Sequence, residues 1–284
     1  MYAHEPLWES AIARRRLNLA STAAPFAMAA QPVSSQVITT DTTGLDAGPI
    51  TISTSLDSIP GYYAKPKGSG PFPIILVVQE IFGVHEHLQD VCRRLAKLGY
   101  VAVAPELFFR QGDVSQLDTI PEIRAIVAQV PDAQVLEDLD AAVQWAAGHA
   151  SGDPNRVGIT GFCWGGRITW LYAAHHPTLK AGVAWYGRLV GEVTDLTPQH
   201  PVDVAGQLKA PVLGLYGGED QGIPLDTVDQ VKTALEKAGD PSRFIIYPDA
   251  PHAFYADYRP SFRPEAAAEA WEQLQAWFKQ HGLA

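Results

Sequence analysis

From residue 73 onward the chain alternates short apolar runs with longer stretches whose apolar positions recur every three or four residues. Pro73-Ile74-Ile75-Leu76-Val77-Val78-Gln79 is continuously apolar and rich in β-branched residues, the pattern of a strand covered on both faces. Similar runs predict strands at Tyr100–Pro105, Arg156–Thr160, Ala181–Tyr186, Pro211–Tyr216 and Arg243–Tyr247. Helical spacing predicts helices over 85–98, 132–150, 164–175, 224–239 and 265–281, with Gly99 closing the first and Pro131 opening the second. Upstream, Ile50–Leu56 alternates as a strand does. Gly61–Pro66 reads as its antiparallel partner, ended by Gly68-Ser69-Gly70-Pro71. Strand–helix alternation on this scale predicts a mainly parallel central sheet with helices on both faces, and chemistry gathered at the carboxyl ends of the strands.

Composition narrows the classes. The 284 residues suit a single α/β domain over 49–284, and 46% apolar residues is ordinary for a globular chain. A net charge of −10 argues against nucleic acid and anionic membrane as partners, and no stretch has the length of a membrane helix. The two cysteines, Cys92 and Cys163, exclude a disulfide scaffold and favour a reducing, cytoplasmic setting. Cys92 lies on the apolar stripe of the 85–98 helix and reads as a small buried hydrophobe. Residues 1–48 stand apart. Arg14-Arg15-Arg16 followed by small and apolar residues to Ala30 reads either as an arm packed on the domain or on a second subunit, or as an export leader. Both a monomer and a homodimer remain open.

The chemistry-bearing segment is Gly161-Phe162-Cys163-Trp164-Gly165-Gly166, between a predicted strand and a predicted helix. Gly-x-nucleophile-x-Gly in that setting is a nucleophile elbow, and here a cysteine stands where serine is usual. A thiol needs a base, and the base an orienting acid. α/β-hydrolase folds supply them in the chain order nucleophile, acid, histidine. Asp220 follows the strand 211–216 and His252 follows the strand 243–247, so all three can meet at one edge of the sheet. Alone, each has a bland reading: an inert thiol, a turn-forming aspartate, a solvated histidine. The order and the strand-end placement of all three carry the case. Glu219 and Asp249 compete with Asp220 as the acid. Glu80, directly after an apolar strand, is a costly place for a carboxyl group without a partner and reads as a second acid facing the thiol. The backbone N–H groups of Ile81 and Trp164 would then form an oxyanion hole. Near-neutral histidine chemistry predicts a rise of kcat/KM through that range. His85 and His87, two apart at a helix start, do not face one metal site, and no phosphate-binding glycine loop occurs, so neither a metal nor a cofactor is expected.

Together, Gln79-Glu80-Ile81-Phe82-Gly83-Val84, the cysteine elbow, the Asp220 loop and Pro251-His252-Ala253-Phe254 resemble the dienelactone hydrolase (carboxymethylenebutenolidase) family over about residues 50–284. The resemblance implies an α/β-hydrolase fold with Cys163 as nucleophile, His252 as base and Asp220 as its orienter. It implies a lactone opened through an acyl-cysteine, as in the conversion of carboxymethylenebutenolide to maleylacetate. It also implies that Glu80 holds the thiol in a poorly reactive state until substrate displaces it. Arg110 matches a family arginine that binds the substrate carboxylate, and Tyr186 an active-site aromatic. The family's second carboxylate-binding arginine falls at Ala256, which leaves Arg259 and Arg263 nearest. Phe82 and Arg259 join Arg110 and Tyr186 as candidates for the substrate pocket. Another small ester or thioester is the alternative substrate. A redox-sensing scaffold built on Cys163 is the alternative of a different class.

Overall fold

The computed structural model describes residues 37–284, and the leader-or-arm reading of residues 1–36 lies outside them. Eight strands form one sheet: β1 (Leu45–Ser53), β2 (Ser58–Pro66), β3 (Phe72–Val78), β4 (Val101–Pro105), β5 (Gly152–Phe162), β6 (Ala181–Trp185), β7 (Val212–Gly217) and β8 (Arg243–Tyr247), in the order β1-β2-β4-β3-β5-β6-β7-β8. The pairs β1–β2 and β2–β4 are antiparallel; every pair from β4 to β8 is parallel. The helices are α1 (Glu86–Lys97), α2 (Ile120–Val127), α3 (Asp132–His149), α4 (Trp164–His175), the short α5 (Pro201–Val204), α6 (Leu225–Ala238) and α7 (Pro264–Gln280). Among them none is long and apolar enough to cross a membrane.

The alternation of side chains along central strands explains why they are apolar on both sides. A side chain at Gly152 would strike Ile74 and the α3 carbonyl of Ala146, whereas one at Gly158 would strike Ile75 and Phe278 of α7. Ile74 and Ile75 therefore point to opposite faces, covered by α3 and by α7, and β3 is buried from its second residue to its last. The helix α4 packs on β5 and β6 and fixes the end of β5, where the elbow lies.

Three local readings differ from the sequence expectation. The first hairpin is shifted: strand β1 begins at Leu45 and ends at Ser53, and Leu56 sits exposed in its turn. The Thr54 hydroxyl accepts from the N–H groups of Leu56 and Asp57, which closes a turn where alternation suggested continued strand. Residues 37–44, expected in the arm, run along the domain, with the Ile38 N–H bonded to Asp257 and the Thr40 carbonyl accepting from Arg93. Helix α2 was not foreseen, although Thr119-Ile120-Pro121-Glu122 carries a start signal. The Thr119 hydroxyl accepts from the Glu122 N–H, and proline sits in the first turn.

Candidate active site

The elbow forms because glycines let three backbones touch. A Cβ on Gly161 would lie 2.2 Å from the Gly165 carbonyl oxygen. One on Gly165 would lie 2.4 Å from that of Val78, and one on Gly166 2.4 Å from that of Trp185. The Cys163 N–H donates to Trp185 at 3.0 Å and the Gly165 N–H to Gln79 at 3.1 Å, so the turn is bolted to the ends of β6 and β3. Between these anchors Cys163 adopts φ 54 and ψ −110, a region that a residue with a side chain occupies only when its surroundings hold it there. The strain lifts the sulfur off the sheet at the N-terminus of α4.

The other two members arrive on neighbouring loops. His252 Nε2 lies 3.2 Å from Cys163 Sγ, and His252 Nδ1 lies 2.6 Å from Asp220 Oδ2. Asp220 is buried and its other oxygen accepts from the Gly222 N–H at 2.8 Å, which fixes its plane. Side chains on Gly217 or Gly218 would collide with the carbonyls of Ala250 or Pro248, so the loops after β7 and β8 pack directly on each other. Glu219 and Asp249, the competing acids, are exposed. Burial works against a charge on His252, but the facing Cys163 sulfur and the Asp220 hydrogen bond outweigh it and push its pKa up to about 10. The near-neutral transition expected from a free histidine is therefore displaced upward.

Two backbone N–H groups of the sequence reading have free donors. The Trp164 N–H opens α4 and has no intrahelical acceptor, and the Ile81 N–H lies in the turn after β3. Neither has a backbone acceptor among the described residues.

Glu80 is almost fully buried beside them. Its Oε2 accepts a hydrogen bond from the Tyr258 hydroxyl, while Oε1 is buried without a partner among the described residues. Burial pushes its pKa up, but nearby Arg259 and the Tyr258 hydrogen bond outweigh that and hold the carboxyl below the ordinary value. Tyr186 is wholly buried at φ 37, edge-on to His252 at 5.2 Å between ring centroids, and its hydroxyl also lacks a partner. Phe82 lies under the Arg259 guanidinium, 5.5 Å from ring centroid to carbon. Arg259 is half-buried. Burial disfavours its charge, but the field of Glu80, Tyr258, Cys163 and Tyr186 more than compensates and raises its pKa.

Arg110, expected to take a substrate carboxylate, is committed elsewhere. Its guanidinium donates to Asp57, to both oxygens of Asp138 and to the Thr54 hydroxyl. The reason is the shifted hairpin, whose turn carries Thr54 and Asp57 onto it. Cys92 is buried in α1, and burial pushes its thiol pKa far up.

Two residues of this neighbourhood, Tyr258 and Asp257, escaped the sequence reading, and His85 and His87, read there only as a pair that does not face one metal site, join them. His87 Nδ1 lies 2.9 Å from Asp257 Oδ1, and Asp257 also accepts from Arg94 at 2.9 Å. The Tyr258 ring packs against His85 at 4.9 Å and His87 at 5.2 Å. Burial drives the His85 pKa down to about 4, so this ring is neutral and apolar in effect. Both histidines serve the back wall of the site, and among the described residues no group of three or more His, Cys, Asp or Glu is arranged to hold a metal.

Comparison with known proteins agrees with this architecture. The model of the dienelactone hydrolase family matches residues 59–282. A relative from Methylorubrum extorquens, provisionally named a carboxymethylenebutenolidase, is 60% identical over 278 residues, covering 97% of this chain and 96% of its own. One from Escherichia coli with the same provisional name is 52% identical over 259 residues, covering 90% of this chain and 95% of its own. The crystal structure of a provisionally named dienelactone hydrolase from Klebsiella pneumoniae superposes with a TM-score of 0.81 at 56% identity, covering 83% of this chain and 99% of that one. With a strained elbow, a mainly parallel eight-stranded sheet and relatives matched nearly end to end, the chain belongs to the dienelactone hydrolase family and is a hydrolase of ester bonds.

Proposed function

We propose that this hydrolase opens a small lactone or ester through an acyl-Cys163 intermediate. The observation that carries the reading is the unbroken Asp220–His252–Cys163 chain of 2.6 and 3.2 Å contacts at a strained elbow. The Cys163 thiolate attacks the substrate carbonyl carbon, and the carbonyl oxygen takes up charge facing the N–H groups of Ile81 and Trp164. Collapse breaks the carbon–oxygen bond to the leaving group, whose oxygen takes the proton from His252 Nε2. A water then gives a proton to His252, attacks the acyl carbon and restores the thiolate with release of the acid. Asp220 keeps the imidazole in one orientation throughout.

For the substrate, the favoured class is a small lactone or ester that bears a carboxylate. Arg259 supports this: it is half-buried over Phe82 and has no ion pair within 4 Å among the described residues, unlike Arg110. The names of the relatives point the same way, since carboxymethylenebutenolide is a lactone that carries a carboxylate. Tyr186 and Phe82 provide the flat walls. The test is turnover of carboxymethylenebutenolide and of p-nitrophenyl acetate by wild type and Cys163→Ala. Loss of both activities in the variant is expected; equal rates would refute the reading.

A further inference from the structure

The turn after β3 closes on a carboxylate that the triad does not use. Glu106 directly follows β4 and reaches the turn from the side. Its Oε1 accepts from the Gln79 side-chain amide at 3.0 Å, and its Oε2 accepts from the Val84 N–H at 2.7 Å. The Gln79 amide is not free to turn round, because its Oε1 accepts from the Leu107 N–H at 3.2 Å. Both partners of the carboxylate therefore act only as donors. Gly83 lies between them at φ 75, and a Cβ there would sit 2.8 and 3.2 Å from the two Glu106 oxygens. Glycine is what lets the turn close on the carboxylate. The same turn carries the Ile81 N–H. Its first residue is tied to the elbow, since the Gln79 carbonyl accepts from the Gly165 N–H at 3.1 Å. Its last is held by Glu106 and, through the Val84 carbonyl, by the Gln89 side chain at 3.0 Å.

A neutral carboxyl group has one oxygen committed to its own O–H. At Glu106 that O–H would face either the Val84 N–H or the Gln79 amide, donor against donor, and one of the two holds on the turn would be lost. We propose that Glu106 is a positioning residue that sets the Ile81 N–H for acyl transfer, and that it does so only as the carboxylate. This role rests on the reading of Cys163 as the nucleophile with Ile81 as an oxyanion donor. It adds a group outside the triad whose protonation weakens the site. On the β3 side the partners of Glu106 are uncharged; on the β4 side Asp113 faces it. Burial pushes its pKa up, the donors Val84, Gln79 and Phe108 pull it back only in part, and the Asp113 charge adds to the rise. The carboxylate is present above that raised pKa, so acyl transfer is lost as pH falls through it, above the ordinary carboxylate range.

Two reactions of the same sulfur test this. Acylation by p-nitrophenyl acetate passes through an oxyanion: the sulfur–carbon bond forms, the carbonyl oxygen takes the charge, and p-nitrophenolate leaves without needing a proton. Alkylation by iodoacetamide forms a sulfur–carbon bond at a saturated carbon and expels iodide, with no oxyanion. Both need the thiolate. The ratio of the p-nitrophenolate burst rate to the labelling rate at Cys163, taken at one pH, therefore cancels the thiolate population and reads the oxyanion donors. In the wild type this ratio should fall by about tenfold or more between about pH 8 and about pH 4. Glu106→Gln keeps the volume but sets an N–H against one of the two donors. Its ratio should already be low by about tenfold or more at about pH 8 and should stay constant with pH. A wild-type ratio that stays flat overturns the proposal. So does a Glu106→Gln ratio within about threefold of wild type at about pH 8, or one that still falls with pH as the wild type does. Where Cys92, buried in α1, labels in the variant, the fold is lost and the wild-type pH series alone decides. Full turnover by Cys163→Ala would strike the nucleophile, whereas a flat ratio with an acyl adduct on Cys163 would strike only the role of Glu106.

Discussion

The two halves of the site are built by different means. The Cys163–His252–Asp220 half is set by main chain: glycines packed on carbonyls, a strained φ at the elbow, and loops after β7 and β8 in direct contact. The Glu80–Tyr258–Arg259 half is set by side chains that reach across the sequence, from residue 80 to residue 258 for one hydrogen bond. Backbone-built geometry tolerates almost no substitution but depends on few partners. Side-chain-built geometry can be retuned one residue at a time.

Breaking the first half should have the largest effects. His252→Ala is expected to lower kcat by on the order of 10⁴-fold with KM little changed, as for loss of a base that acts only in the transition state. Steady-state kinetics on an activated ester measures it; a loss below tenfold would mean that the histidine is not the base. Gly165→Ala is next. Its Cβ would press on the carbonyls of Val78 and Gln79, which are main chain and cannot move aside. We expect a loss of about 3 kcal/mol, the upper end for overpacking, read as a lowered midpoint in urea. An unchanged midpoint would show that the elbow is looser than its contacts.

The second half is probed by its two arginines. Arg259→Ala should raise KM for a carboxylate-bearing lactone by about 10–100-fold, the worth of a charge-assisted contact, and much less for a neutral ester. Arg110→Ala should instead act on stability, because it leaves Asp138 and Asp57 without their cation. The reverse pattern would restore Arg110 as the substrate's partner.

A further effect expected is one of pH. The His252 pKa in the folded chain, about 10, lies above the value of about 6.5 in an unfolded chain. Its contribution to stability is therefore complete below pH 6.5 and is lost as pH rises through about 10. Activity that needs the imidazolium to protonate the leaving group should fall over the same upper range. A kcat profile that still rises at about pH 10 would contradict the pairing of His252 with the thiolate.

How much of this was legible in the sequence follows the same division. The strand runs and the elbow could be read because local rules govern them: β-branched apolar runs make covered strands, and glycine is the residue that lets backbones touch. Asp220 could be preferred over Glu219 and Asp249 only by its place in a loop, and burial separates them. Tyr258, Asp257 and His87 could not be found in that way. The His87–Asp257 contact joins residues 170 apart, and no local pattern marks it. The ion pairs of Arg110 were hidden for a related reason. Its position matches a family pattern, but its partner Asp57 is brought by a hairpin turn that the alternation of Ile50–Leu56 did not reveal, and Asp138 comes from α3.

The central claim is the acyl bond to Cys163, and its most direct test is intact-mass spectrometry of enzyme quenched during turnover of p-nitrophenyl acetate. The account predicts a transient gain of one acetyl group, mapped by peptide analysis to Cys163 and absent in Cys163→Ala. Undiminished turnover with no adduct on Cys163, or an adduct on another residue, would contradict it.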